Sequence, residues 1–130
     1  MARSRACPCG SARAYDACCG PLHAGTTTAS TAEELMRSRY SAFAVGDAAH
    51  LLRTWHPATR PERLDLDDST RWTGLEVLAT EAGGPQNQRG VVEFRASYTS
   101  AGEAHALHEV SRFRRHDGQW CYVRGRATWS

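Results

Sequence analysis

Four of the five cysteines in this 130-residue chain fall within thirteen positions of one another: Cys7, Cys9, Cys18 and Cys19. A Cys-x-Cys pair and a Cys-Cys pair with eight residues between them can close around one tetrahedral metal ion. Zinc, which takes sulfur and nitrogen ligands in fours, suits that donor set best. In Cys7-Pro8-Cys9-Gly10-Ser11, Pro8 restrains the chain between two ligands and Gly10 lets the backbone turn past the ion. So short a stretch buries no core, so the metal would supply its folding energy. Four protein ligands leave no open coordination position, which makes the expected site structural. His23 is a further candidate ligand: it could replace Cys18 or Cys19, or lie on the surface. Disulfides are the competing reading, but adjacent Cys18 and Cys19 would both need well-aimed partners in a tight loop. Four thiolates around a dication leave excess negative charge, which Arg3, Arg5 or Arg13 could offset.

Composition narrows the rest. Residues 1–6 are basic and lead into the cysteines with no apolar run, so no secretory signal is expected. A reducing cytoplasm, where thiolates and metal are favoured over disulfides, is the expected location. No segment approaches the roughly 20 apolar residues of a membrane span. The net charge is only +2, with acidic and basic residues interspersed, which argues against nucleic acid as the main partner. All sixteen basic residues are arginine, which excludes lysine Schiff-base chemistry and a P-loop lysine in this chain.

The elements that must position these groups divide the chain in two. Residues 1–25 form the expected metal knuckle and residues 31–130 an α+β domain, with the small and turn-forming residues of 20–30 read as a linker. Thr31 and Glu34 have capping-box spacing, and Leu35, Met36, Tyr40 and Phe43 follow at helical spacing to Gly46. Asp47 can cap a second helix running through Trp55 and closed by His56-Pro57. Residues 57–71 read as a loop. Four strands follow: 72–80 with Leu75, Val77 and Ala79 on one side, 91–99 with Val92, Phe94, Ala96 and Tyr98, 105–115, and a last strand from Trp120. Ser100-Ala101-Gly102 turns the chain between the second and third strands, and Asp117-Gly118 is a type I′ hairpin signal. Helices first and an antiparallel meander afterwards predict helices packed on one face of a curved sheet.

Cys7-Pro8-Cys9-Gly10-Ser11, Tyr15 and Cys18-Cys19-Gly20 resemble the SEC-C zinc motif, also found at the C-terminus of the SecA translocation ATPase. Four later segments resemble the bacterial YchJ family in order. They are Leu35-Met36-Arg37-Ser38-Arg39-Tyr40-Ser41-Ala42-Phe43, Thr54-Trp55-His56-Pro57, Glu109-Val110-Ser111-Arg112-Phe113 and Gly118-Gln119-Trp120-Cys121-Tyr122. The resemblance covers nearly the whole chain. It implies a zinc knuckle joined to a cone-shaped nuclear transport factor 2-like (cystatin-like) domain, a curved antiparallel sheet wrapped on helices. Cys19 stands where His often follows the third cysteine, an equally good ligand type. The knuckle lacks the lysines of related motifs, which weakens any extension to an acidic partner such as the SecB chaperone.

A cone of this shape can hold a pocket, and the same fold hosts enzymes and binders. With Phe94, Tyr98 and Phe113 inward, the period of two turns Glu109 and Ser111 inward as well. Arg39, Tyr40, His56, Trp72, Trp120 and Tyr122 could surround them. Two readings of Glu109 stand side by side. Burial could make it a general acid or base in an isomerase- or dehydratase-like enzyme, with His56 as the other candidate. Alternatively Glu109 pairs with Arg39 or Arg112 in a structural ion pair. The expected function is a zinc knuckle that serves as an interaction surface for a protein partner, and a cone that binds a small molecule or a peptide. The open face of the sheet could pair with a second copy.

Overall fold

The computed structural model describes residues 5–67 and 69–129. After a 3-10 turn at Tyr15–Ala17 come three helices, α1 (Cys19–Ala24), α2 (Ala32–Val45) and α3 (Ala48–Arg53). Four strands follow, β1 (Thr70–Ala82), β2 (Arg89–Ser100), β3 (Glu103–His116) and β4 (Gln119–Trp129), in one antiparallel sheet of order β1-β2-β3-β4. The caps are those expected: Thr31 Oγ1 accepts from Glu34 N at 3.0 Å and Asp47 Oδ1 from His50 N at 3.0 Å, each satisfying a free helical N–H.

Residues 20–24 are helical, not linker. Pro21 falls in the first turn of α1, where its missing N–H costs nothing, and Gly25 ends the helix at φ 79°. Two residues that read as turn formers thus bound a short helix. The second helix stops at Arg53, short of Trp55. Thr54 caps it, and the chain turns to run beside β4, with His56 N donating to Tyr122 O at 2.7 Å and Tyr122 N to Thr54 O at 2.8 Å.

Sheet alternation holds on β2 and β3, where Val92, Phe94, Ala96, Leu107, Ser111 and Phe113 are buried. On β1 two irregularities reset it. One between Trp72 and Gly74 puts Trp72 on the same face as Leu75 and Val77, and one between Val77 and Ala79 leaves Ala79 exposed. Asp117-Gly118 has the positive φ pair of a type I′ turn, 51° and 81°. Ala101-Gly102 makes the same turn at φ 53° and 79°, so an alanine holds a conformation that asparagine adopts more readily. Ala101→Asn is expected to stabilise the fold by about 0.5 kcal/mol, read as a higher urea midpoint with an unchanged slope.

The N-terminal segment packs into the domain. Cys7, Cys9 and Cys19 belong to the same buried cluster as Leu35, Met36 and Tyr40 of α2 and Val92, Phe113 and Trp120 of the sheet. Two polar contacts fasten it: Arg37 Nη1 donates to Cys9 O at 2.8 Å, and Cys7 Sγ lies 3.8 Å from Ser41 Oγ.

Candidate functional site

The knuckle brings all four expected sulfurs together. Cys9 and Cys18 Sγ are 3.6 Å apart, Cys18 and Cys19 Sγ 4.0 Å, and the four lie within 4.8 Å of one another. A tetrahedral ion with metal–sulfur bonds of about 2.3 Å sets its sulfurs about 3.8 Å apart, so the arrangement is that of a ligand set. All five cysteines are free thiols. Crowded thiols cannot share negative charge evenly: a hydrogen bond from Cys19 first, then Ser11 and Cys7, pull the Cys9 thiol down to about 4 against the effect of burial. Cys19 is pushed up, first by that bond to Cys9 and then by burial. Gly20 is required beside the ligands, because a Cβ there would meet Tyr15 O at 2.9 Å.

Of the arginines expected to offset the charge, Arg3 lies outside the described residues, Arg5 is exposed, and Arg13 Nη2 donates to Ala17 O. Arg37, on α2, also reaches the knuckle backbone, and does so at a ligand residue, through Cys9 O. Its helix register carried no hint of that role.

His23 is not among the ligand atoms. Its Nε2–H donates to Ser38 O at 2.8 Å, so its Nδ1 accepts from Tyr15 Oη at 2.5 Å, and both nitrogens are committed. The ring packs 4.7 Å from that of His50, a residue that no motif in the sequence marks. His50 is 2% exposed. Ser38 Oγ donates to Leu35 O at 2.7 Å, so His50 Nε2–H donates to Ser38 Oγ at 3.0 Å, while Arg53 Nη2 donates to His50 Nδ1 at 3.2 Å and to His23 O at 2.9 Å. This buried network joins α1, α2 and α3.

The cone holds a partly open cavity of about 230 Å³ between α2 and the sheet. Six of the expected residues line it: Arg39, Tyr40, Trp72, Glu109, Ser111 and Tyr122. His56 does not. Its Nδ1 accepts from Ala58 N at 3.0 Å and its ring packs 5.1 Å from His116, because the early end of α3 gives the cavity-lining position to Trp55. Trp120 is buried at the other end of the core, where its Nε1 donates to Ser30 O at 3.2 Å. Met36, Phe43 and Leu107 complete walls that were not singled out.

Neither expected ion pair of Glu109 forms among the described residues. Its carboxylate accepts from Ser111 Oγ and lies over Gly125, where any Cβ would collide with it. Arg39 is 6% exposed; its Nη1 donates to Leu51 O and to Thr54 Oγ1, both at 2.7 Å. The guanidinium carbon sits 4.5 Å from the Tyr122 ring centre and 5.1 Å from that of Trp55. Burial lowers the Arg39 pKa to about 10, so it remains a cation at neutral pH. Burial likewise pushes Tyr40 and Tyr122 up to about 12, which keeps both phenols neutral.

Residues 31–125 match the model of the YchJ middle nuclear transport factor 2-like domain, and residues 3–21 match the SEC-C motif. The chain belongs to the YchJ family. A UPF0225 protein of Streptomyces coelicolor is 58% identical over 119 residues, covering 92% of this chain and 93% of that relative. Another from Chromobacterium violaceum is 52% identical, covering 92% and 91%. The solution structure of a SEC-C motif-containing protein from Rhodopseudomonas palustris superposes with a TM-score of 0.83 at 37% identity, over 94% of this chain and 98% of that one. The crystal structure of one from Psychrobacter arcticus gives 0.77 at 30% identity, over 92% and 81%. Family membership joins a metal-binding type of motif to the cone, in agreement with the four clustered sulfurs. No helix among the described residues is long and apolar enough to cross a membrane.

Proposed function

We propose that this YchJ-family protein binds one zinc ion through Cys7, Cys9, Cys18 and Cys19, and a small, largely apolar molecule in its cone. The observation that carries the reading is the convergence of four sulfurs within 4.8 Å on a segment that also packs against α2. Zinc would act there as a clamp, with no open position for a reacting group. The exposed side of the knuckle, with Arg5 and Arg13, is the surface offered to a protein partner. The protein as purified is expected to hold one zinc per chain by native mass spectrometry, and Cys9→Ser to hold much less. A wild-type protein with another metal, or none, would overturn the assignment.

The cone reading rests on the cavity, since cavities of roughly 150 Å³ already admit benzene. Toluene is expected to give saturable shifts of the Trp55 and Trp72 indole resonances. Shifts that do not saturate would remove the cone reading and leave the zinc reading intact. Glu109 facing the cavity also favours acid–base chemistry as a second reading. His56, turned away from the cavity, has no part in it.

A further inference from the structure

Most of the cavity wall is aromatic or aliphatic, and its polar groups enter from two layers: Arg39 from α2, Glu109 and Ser111 from β3. A buried cation needs a counter-charge or a full set of acceptors. Among the described residues no carboxylate lies within 4.0 Å of Arg39, and only its Nη1 has protein acceptors. The faces of Trp55 and Tyr122 stabilise the charge through their π systems. They do not accept from the in-plane N–H groups of Nε and Nη2. Trp55, in the same wall, adds a buried N–H: its Nε1 has no acceptor. It is the only buried side-chain nitrogen or oxygen among the described residues without a partner.

A cation in the wall whose Nε and Nη2 have no protein acceptor, and one buried indole N–H without a partner, in an aromatic cavity of about 230 Å³ define a ligand by its chemistry. We infer that the cone takes a small aromatic carboxylate, its ring against Trp72 and Phe113 and its carboxylate facing the Arg39 guanidinium and the Trp55 indole N–H. The volume favours a single ring over a peptide, because roughly 150 Å³ holds benzene and the remainder suits one carboxylate. Planar carboxylate and guanidinium match as a fork, a geometry that a neutral acceptor reproduces poorly. Glu109 does not neutralise Arg39 by contact, since its carboxylate is turned to Ser111.

This inference rests on the cone reading above, and benzoate with its neutral isostere nitrobenzene separates the two. Titrations of the zinc-loaded protein would follow indole N–H and arginine side-chain resonances. Benzoate is expected to bind roughly tenfold or more tightly than nitrobenzene, as for a hydrogen bond to a charged group, and to shift Trp55 Nε1–H. Arg39→Met should abolish that preference while still admitting nitrobenzene. If Arg39→Met does not fold, the comparison of the two ligands on the wild-type protein decides alone. Equal affinities, or benzoate shifts confined to the exposed arginines of the sheet, would overturn the carboxylate inference and leave the cavity reading standing. No saturable binding of either compound would overturn both.

Discussion

Stripping zinc from the proposed cysteine site is expected to unfold the domain as a whole, not only residues 1–25. The knuckle is part of the buried core. Cys7, Cys9 and Cys19 pack in one cluster with Leu35, Met36, Tyr40, Phe113 and Trp120, and Arg37 and Ser41 of α2 reach back to it. Structural zinc contributes about 10–16 kcal/mol in small domains, as much as the total stability of about 5–15 kcal/mol typical of a folded protein. Removing the ion would also leave four crowded thiols to share protons within 4.8 Å. Treatment with a strong chelator under reducing conditions should therefore abolish the near-ultraviolet signal of Trp72 and Trp120 together with the helical signal. Cys9→Ser should reproduce that loss without chelator. A chelated protein that keeps its tryptophan signal, with only N-terminal amide resonances collapsing, would show that the ion holds the knuckle alone.

That prediction differs from the one the cysteine spacing supports by itself, and the difference shows where sequence reading stops. Cysteine spacing, the Thr31 and Asp47 caps, the alternation of β2 and β3 and the Asp117-Gly118 turn are local, and each follows from a few neighbouring residues. Whether the knuckle stands apart or docks depends on contacts between Cys7 and Ser41, 34 residues apart, which no local pattern encodes. The cavity follows the same division. Arg39, Tyr40, Glu109 and Ser111 were legible from helix spacing and strand period. His56 misses the cavity while Trp55 lines it, because α3 ends two residues early and one residue decides which side chain meets the cavity. Register irregularities on β1 are invisible to a strict period of two. His50 looks like an ordinary polar position on a short helix. Only the docking of α1 against α2 and α3 buries it.

Acid should destabilise the fold through His50. Burial in the first place, then the charges of His23, Arg53 and Arg39, lower its pKa from 6.5 to about 4, with Asp47 acting in the opposite sense. In the unfolded chain His50 takes up a proton below about 6.5, and in the fold only below about 4. Between those values the unfolded state binds more protons, so stability rises with pH: the contribution is complete above about 6.5 and lost as pH falls to about 4. A shift of that size corresponds to about 3 kcal/mol. The structural reason is donor count. A protonated His50 presents an N–H from Nδ1 to Arg53, itself a donor at 3.2 Å, and places a cation beside His23. Acid also releases metal from thiolates, so the quantity to read is the stability difference between the wild type and His50→Gln at each pH, with zinc content measured alongside. The glutamine amide can still donate to Ser38 Oγ and cannot titrate. The wild type should lose about 3 kcal/mol relative to the variant between pH 6.5 and pH 4 in urea unfolding. Parallel pH profiles for the two proteins would mean that the buried network is acid-stable and that His50 is not the group that acid attacks.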